Sequence, residues 1–400
     1  MATYTYRAFS MEGSKKIGSL RFDSKAQCEA HLQAKGFVDY KVYETATPYS
    51  RKHYKLVSAK ELSIFSRQMS VLFVSDITLL EGMLLMSEQS VNKTLKTALK
   101  EMFAHMDVGG FTFAEAMGMY PHVFGTYMVH MAAIGENSGA LDDVFAGMAD
   151  YFEKEHEIRK KLRTAVTYPL ILTLMMSAIV VLLIVEILPM FGELLGNMGG
   201  EMPAVTMALL AFSDFVSTYV LWIGLVIAAI VFASIQYAGT EKGAFAWDRK
   251  QMTAPLLRRV NALVATGRFA RSMSLLLKSG VQLIFALEYT VPLLNNRYLT
   301  EKFDKVIEDV KNGTPLSEAL KSVGIFSALF MQMVVIGERS GHLDRMLARS
   351  SKFFDEEVYD AVERITVMIE PILIIILSVI VGIILLSVML PMITIMNAIG

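Results

Sequence analysis

Cysteine is almost absent from this 400-residue chain. Cys28 stands alone, so no intramolecular disulfide and no thiolate metal cluster can form, as expected of soluble parts facing a reducing compartment. Net charge is as scarce: 38 Lys and Arg against 39 Asp and Glu leave −1, without the basic field that binds nucleic acid. No G-x-x-x-x-G-K-[ST] phosphate loop occurs, and Gly199-Gly200 has no lysine after it, so the chain is not read as an ATP-hydrolysing motor. The seven histidines, His53, His122, His130 and His156 among them, include no H-E-x-x-H pair, and no serine sits in a G-x-S-x-G elbow. Each lone histidine reads as ordinary surface or core, and no cofactor is implied. The opening MATYTYRAFSMEGSKK lacks the apolar stretch of a cleavable signal, so the N-terminal segment is expected to stay where it is made.

What the chain has is apolar residues, 54% of the total with only 19% charged, and a mean hydropathy of +0.44. That balance excludes both an ordinary soluble protein and one lying wholly in a bilayer. Three stretches are long enough to cross a membrane: Tyr168 to Met190, Val216 to Tyr237 with Tyr219, Trp222 and Tyr237 at its ends, and Pro371 to Met396. Glu186, near the far end of the first, is the only charge in that stretch. Lys and Arg gather on one side. Lys154, Arg159, Lys160, Lys161 and Arg163 precede the first stretch; Lys242, Arg249, Lys250, Arg258 and Arg259 follow the second; the loop 191–215 and the tail after Pro391 have none. The positive-inside rule then expects a cytoplasmic N-terminus and an extracytoplasmic C-terminus.

The chain also says one thing twice. Ile134 to Asp142 reads IGENSGALD and Ile336 to Asp344 reads IGERSGHLD, differing only at Asn137/Arg339 and Ala140/His342. Upstream, FSRQMSVLFVSDITLLEGM from Phe65 matches FARSMSLLLKSGVQLIFAL from Phe269, and GFTFAEAM from Gly110 matches GTPLSEAL from Gly313. Downstream, Phe152, Glu155 and Pro169 align with Phe354, Glu357 and Pro371. Each copy is a helical unit running into a membrane stretch, and the middle stretch gives both copies the same orientation. Leu141, Val144, Phe145, Met148 and Phe152 recur at the helical period. The 27 methionines, with Met175, Met176, Met389 and Met392 clustered in the membrane stretches, read first as packing and second as adaptable sliding surfaces.

Within the motif, Ser138-Gly139 and Ser340-Gly341 read as turns whose glycine takes the left-handed cap, with Leu-Asp opening the next helix. The plain reading is a helix corner in a bundle, built by Gly135, Glu136, Ser138, Gly139 and Asp142, and again by Gly337, Glu338, Ser340, Gly341 and Asp344. A sharper reading gives Glu136 and Glu338 a polar contact needed for assembly. A third makes them cation ligands with Asp142, Asp143 or Asp344. The basic groups Arg159, Lys160, Lys161, Arg163, Arg249, Lys250, Arg258 and Arg259 are candidates for contact with anionic lipid heads or with an acidic partner surface.

These residues carry a resemblance. The paired G-E-x-S-G-x-L-D signatures, the F-x-R-Q-M-S opening of the first copy, Glu370-Pro371 at the start of the last stretch and the three-span layout resemble the type II secretion F / type IV pilus platform family, also called GspF or PilC type. Ser75-Asp76 and Phe124-Gly125 depart from the family pattern. The resemblance implies a mostly α polytopic inner-membrane protein, not an enzyme, with two cytoplasmic six-helix bundles. It implies assembly as a homo-oligomer at the base of a pilus or secretion pseudopilus. Its implied partners are a hexameric cytoplasmic ATPase, pilin or pseudopilin subunits, other inner-membrane assembly proteins and the lipid bilayer, with no nucleic acid. The expected layout is a ββαβ mini-domain over 1–44, a linker over 45–55, a first bundle over 56–167 and a span over 168–190. A loop over 191–215, a second span over 216–237, a second bundle over 238–370, a third span over 371–396 and a tail over 397–400 follow. Two other classes fit less well. A secondary transporter would want ionisable groups near the midplane, and a receptor scaffold leaves the duplication without a reason.

Overall fold

A computed structural model describes residues 2–10, 15–22, 24–45, 57–75, 77–107, 109–187, 189–190, 193, 204–238 and 240–399. The turn at Glu12-Gly13, nearly all of the linker, Asp76 and residues 191–192 and 194–203 of the expected loop lie outside them; from Ala204 onward that expected loop is already helical, in the same helix as the expected second span. The protein is mostly α-helical. It divides into two compact units, Met1–Phe152 and Glu153–Gly400.

The first unit opens on a small sheet. β1 (Ala2–Ser10) pairs antiparallel with β2 (Lys15–Phe22) on one side and β3 (Phe37–Thr45) on the other, Tyr6 standing opposite both Gly18 and Val42. α1 (Lys25–Ala34) starts at Ser24, whose hydroxyl accepts from the Gln27 N–H, and buries Cys28 and Leu32. Cys28 is therefore a small core residue. Gly36 ends the helix with φ +79°, a conformation that costs glycine little, and β3 follows at once.

Six helices follow in the same unit: α2 (Ala59–Val74), α3 (Leu79–Gln89), α4 (Lys93–Asp107), α5 (Phe113–Gly118), α6 (Pro121–Ser138) and the start of α7 (Leu141–Leu182). Ser58 with Glu61, and Thr112 with Glu115, form reciprocal capping boxes that fix where α2 and α5 begin. Phe65 is the hub of the core, its ring 5.7 Å from that of Phe124 and 6.1 Å from that of Phe145. Met69, Met83, Met102, Met117, Met128 and Met148 are wholly buried around it, so the bundle methionines are packing residues, whereas Met175 and Met389 on the apolar helices are exposed.

The second unit takes over inside α7 and continues through α8 (Ala204–Ala238), α9 (Glu241–Thr253), α10 (Pro255–Lys278), α11 (Leu283–Thr290), α12 (Arg297–Lys311), the one-turn α13 (Leu316–Ala319), α14 (Ala328–Ser340) and α15 (Leu343–Ile399). Helix for helix, α10 to α15 repeat α2 to α7. Phe269 takes the place of Phe65, with Phe303, Phe326 and Phe330 rings 5.3, 5.5 and 6.1 Å away. α7 and α15 run without interruption from bundle into apolar stretch. Among the described residues they are the two helices found long and apolar enough to cross a membrane by length and composition. The division between units also falls earlier than the expected bundle boundary at 167, at Phe152/Glu153. The reason is packing: Ile158, and Leu162 beyond it, join a core with Val260, Val264, Val358 and Val362 of α10 and α15.

Candidate functional site

The repeated nonapeptide forms the same corner in both units. Gly139 and Gly341 adopt φ +70° and +72°, which a side chain resists, and stop α6 and α14. The Ala140 N–H then donates back to the Gly135 carbonyl at 3.0 Å, and the His342 N–H to the Gly337 carbonyl at 3.0 Å. Ser138 and Ser340 spend their hydroxyls on the preceding turn, donating to the carbonyls of Ile134 (2.8 Å) and Gly337 (3.4 Å). Gly135 and Gly337 serve a different need. A Cβ on Gly337 would stand 2.9 Å from Leu343 Cα and 3.0 Å from Met346 Cβ, and one on Gly135 3.1 Å from Leu141 Cα, so the absent side chain lets two helices close on each other. Asp142 and Asp344 fall in the first turn of α7 and α15, where a negative charge faces the positive helix end. Their carbonyls accept from Ser70 (3.0 Å) and Ser274 (2.9 Å), the final serines of FSRQMS and FARSMS.

Both glutamates of the motif turn inward to one destination. Glu136 accepts from the Phe113 N–H at 3.0 Å and the Ala114 N–H at 3.1 Å, the first two amides of α5. Glu338 accepts from the Leu316 N–H at 2.6 Å, the Ser317 N–H at 3.2 Å and the Ser317 hydroxyl at 2.5 Å, at the start of α13. These amides have no partner within their own helices, and a carboxylate there satisfies them while countering the helix dipole. Each glutamate therefore staples a short helix to the corner within its own bundle. Both carboxylate oxygens are engaged in each copy, and no group of three or more His, Cys, Asp or Glu side chains fit to hold a metal ion occurs among the described residues.

The basic residues separate by environment. Arg159 donates to Glu155 at 2.6 Å, and Lys161 lies 3.9 Å from Glu363 and 5.9 Å above the Tyr359 ring. Lys160, Arg163, Arg249, Lys250, Arg258 and Arg259 are exposed. Arg258 and Arg259 border a pocket of about 500 Å³ whose other walls include Leu263, Phe353 and Glu357.

Sequence reasoning missed a pair of buried ion pairs in the second unit. Glu155, 4% exposed, accepts from Arg268 through both oxygens (2.6 and 2.9 Å) as well as from Arg159. Burial pushes its carboxyl up, yet Arg268 and Arg159 outweigh that and hold it below the usual glutamate range. Asp355 pairs with Arg271 at 2.5 Å, but there burial wins over the guanidinium and the carboxyl stays above the usual aspartate range. One signal was available: Arg268 occupies the position that the first copy fills with Ile64.

Comparison with known proteins gives these corners a setting. The family model for protein F of the type II secretion system (T2SS) matches residues 65–189 and again 269–391. The type IV pilus assembly protein PilC of Thermus thermophilus is 34% identical over 342 residues, 85% of this chain and 84% of that protein. The type II secretion system protein F of Aeromonas hydrophila is 29% identical over 384 residues, 94% of this chain and 99% of that protein. The PilC protein of Myxococcus xanthus is 27% identical over 401 residues, 100% of this chain and 96% of that protein.

Proposed function

The chain belongs to the type II secretion system protein F family, and on that footing we propose that it is the inner-membrane platform of a type IV pilus or type II secretion machine. It is a structural component. In this reading three spans anchor it, both helical bundles lie in the cytoplasm, and a hexameric ATPase drives it from that side while pilin-like subunits enter the fibre beside its spans. The observation that carries the reading is the mechanical design of the duplicated corner. In each copy one glutamate, one close-packed glycine and one left-handed glycine lock the bundle to the helix that continues unbroken towards the membrane, α7 or α15. Movement imposed on a bundle would therefore be passed to the first turns of that helix, upstream of Pro169 in α7 and Pro371 in α15. The exposed cations Lys160 and Arg163 on α7, and Arg249, Lys250, Arg258 and Arg259 on α9 and α10, supply surfaces for an acidic partner or for lipid heads.

Orientation is the first thing to test. In a Cys28→Ser background, single cysteines at Asn197 and Asn312 are treated with an impermeant maleimide on intact cells. Position 197 is expected to label and position 312 to stay protected until the membrane is opened. Labelling of 312 alone would put the bundles on the wrong side for a cytoplasmic motor.

A further inference from the structure

The two copies of the duplicated unit treat one hollow differently. In the first bundle the ring of Tyr127 on α6 lies 5.1 Å from that of Tyr151 on α7, and both are buried, as is Val123 one turn before Tyr127. Aligned on the motif, the second bundle has Leu329, Phe353 and Ile325 at these places. Phe353 keeps the stance of Tyr151: its ring stands edge-on to that of Phe354 at 5.3 Å, as Tyr151 does to Phe152 at 5.2 Å. Leu329, however, brings no ring to lay against it. Leu329 and Phe353 are 40% and 37% exposed, and with Ile325 they line the pocket of about 500 Å³, a volume within the roughly 300–1,000 Å³ of ligand sites. The first copy closes the hollow with its own tyrosines; the second leaves it open.

The open copy also gains charge at that place. α10 is 24 residues long against 16 in α2, the two ending at the aligned Lys278 and Val74, and the added turns carry Arg258 and Arg259, both exposed and both in the pocket wall. Glu357 of α15, half-buried, is the acidic group of the same wall. None of the three makes an ion pair among the described residues. Beside the wall on α15, the exposed Lys352 and Glu356 offset each other, so the surplus at the pocket is cationic. An apolar floor in reach of two guanidinium groups suits an aromatic side chain flanked by a carboxylate, since arginine both pairs with carboxylates and stacks on rings. Glu357 adds an acceptor, which favours a ring that carries a donor.

We propose that this pocket docks a partner protein through a tyrosine or tryptophan in an acidic segment, the ring taking the place that Tyr127 fills in the first copy, its O–H or N–H donating to Glu357 and the neighbouring carboxylates meeting Arg258 and Arg259. The docking takes from the platform reading only that partners arrive on the bundle side; it is tested on the purified chain, so its failure leaves that reading untouched.

The probe is a phage-displayed library of random peptides, selected on the full-length chain in mild detergent, with the enriched peptides then synthesised and their affinities measured by interferometry. Enrichment of tyrosine or tryptophan with Asp or Glu within about three positions is expected. Leu329→Tyr, which restores the ring of the first copy, should abolish binding and raise the thermal midpoint, because it fills the hollow from within. Arg258→Gln and Arg259→Gln should each weaken binding about threefold, as exposed ion pairs do, and Glu357→Gln should reduce the preference for tyrosine over phenylalanine. No enrichment, enriched peptides without an aromatic or without an acid, or binding that survives Leu329→Tyr overturns the proposal. A Leu329→Tyr chain that folds but loses its oligomeric state gives the pocket to a second copy and overturns it too. So do arginine variants that lose binding to phosphatidylglycerol vesicles while keeping that of the peptides, which assigns those charges to the membrane. The arginines are exposed, so their variants decide the matter even if the tyrosine variant fails to fold.

Discussion

Replacing Glu338 by alanine removes the acceptor shared by the Leu316 N–H, the Ser317 N–H and the Ser317 hydroxyl. The hydroxyl can turn elsewhere; the amides cannot, because they are the first of a one-turn helix and Leu316 is wholly buried. A hydrogen bond to a charged group contributes about 1.5–3 kcal/mol and an orphaned donor costs about 1–3 kcal/mol, so with water reaching the half-buried site the loss should total about 2–4 kcal/mol. That corresponds to a fall in thermal midpoint of roughly 5–10 °C. Glu338→Gln keeps one acceptor and should lose about half as much. Hydrogen exchange followed by mass spectrometry supplies a local readout: the peptide holding Leu316 and Ser317 should exchange at least about tenfold faster in the alanine variant, while α12 keeps its protection. Oligomeric state should not change, since the contacts lie within one bundle. Parent-like exchange at α13 together with an unshifted midpoint would show that the staple carries no load, and a variant that folds normally but dissociates would return Glu338 to an assembly contact.

The close approach at the corner gives a second expectation: Gly337→Ala should cost about 1–3 kcal/mol because its Cβ would stand 2.9 Å from backbone. Gly382→Ala on the same long helix α15, with nothing within 4 Å, serves as the control and should be near neutral by chemical denaturation. For the buried pair, Glu155→Gln leaves Arg268 without its charge partner and should cost about 3 kcal/mol at neutral pH. Since the folded-state pKa of Glu155 is lowered, its contribution is present above the ordinary glutamate range and is lost as pH falls through that range and below, so the gap between parent and variant should close there. Asp355, raised, has the opposite sign: its contribution is present below the ordinary aspartate range and is lost as pH rises through its folded value. A parent-to-variant gap for Glu155 that stays constant across the acid range would refute the linkage. Finally, reversing Lys160 and Lys161 to glutamate should weaken binding of the cognate ATPase in detergent and make it less salt-sensitive, as measured by interferometry. Unchanged binding would move the motor contact to the bundle faces or the N-terminal unit.

The corner was legible because its determinants are local. A left-handed stop needs glycine at one position, the acidic residue belongs in the first turn of the following helix, and both rules act within nine residues. The fate of Glu136 and Glu338 was not legible, since their donors lie 23 and 22 residues upstream on helices too short to announce themselves by periodicity. The same holds for Glu155 and Arg268, which are 113 positions apart. Hydrophobic periodicity says which face is buried, not which polar group that face will meet. Comparing the copies position by position would have singled out Arg268, a charge where its counterpart Ile64 is apolar. The change of unit inside α7 was hidden for a related reason: the helix continues unbroken, and only its partners change, from the first bundle to Val260, Val358 and Val362.

The platform reading meets its most direct test in fibre assembly within the cell that carries this chain. Removing the gene should abolish assembled pilus or pseudopilus fibres while the pilin-like subunits remain in the membrane and the motor ATPase still hydrolyses ATP in extracts. The intact gene supplied in trans should restore the fibres. Fibres that assemble at the normal level without the chain would contradict the account.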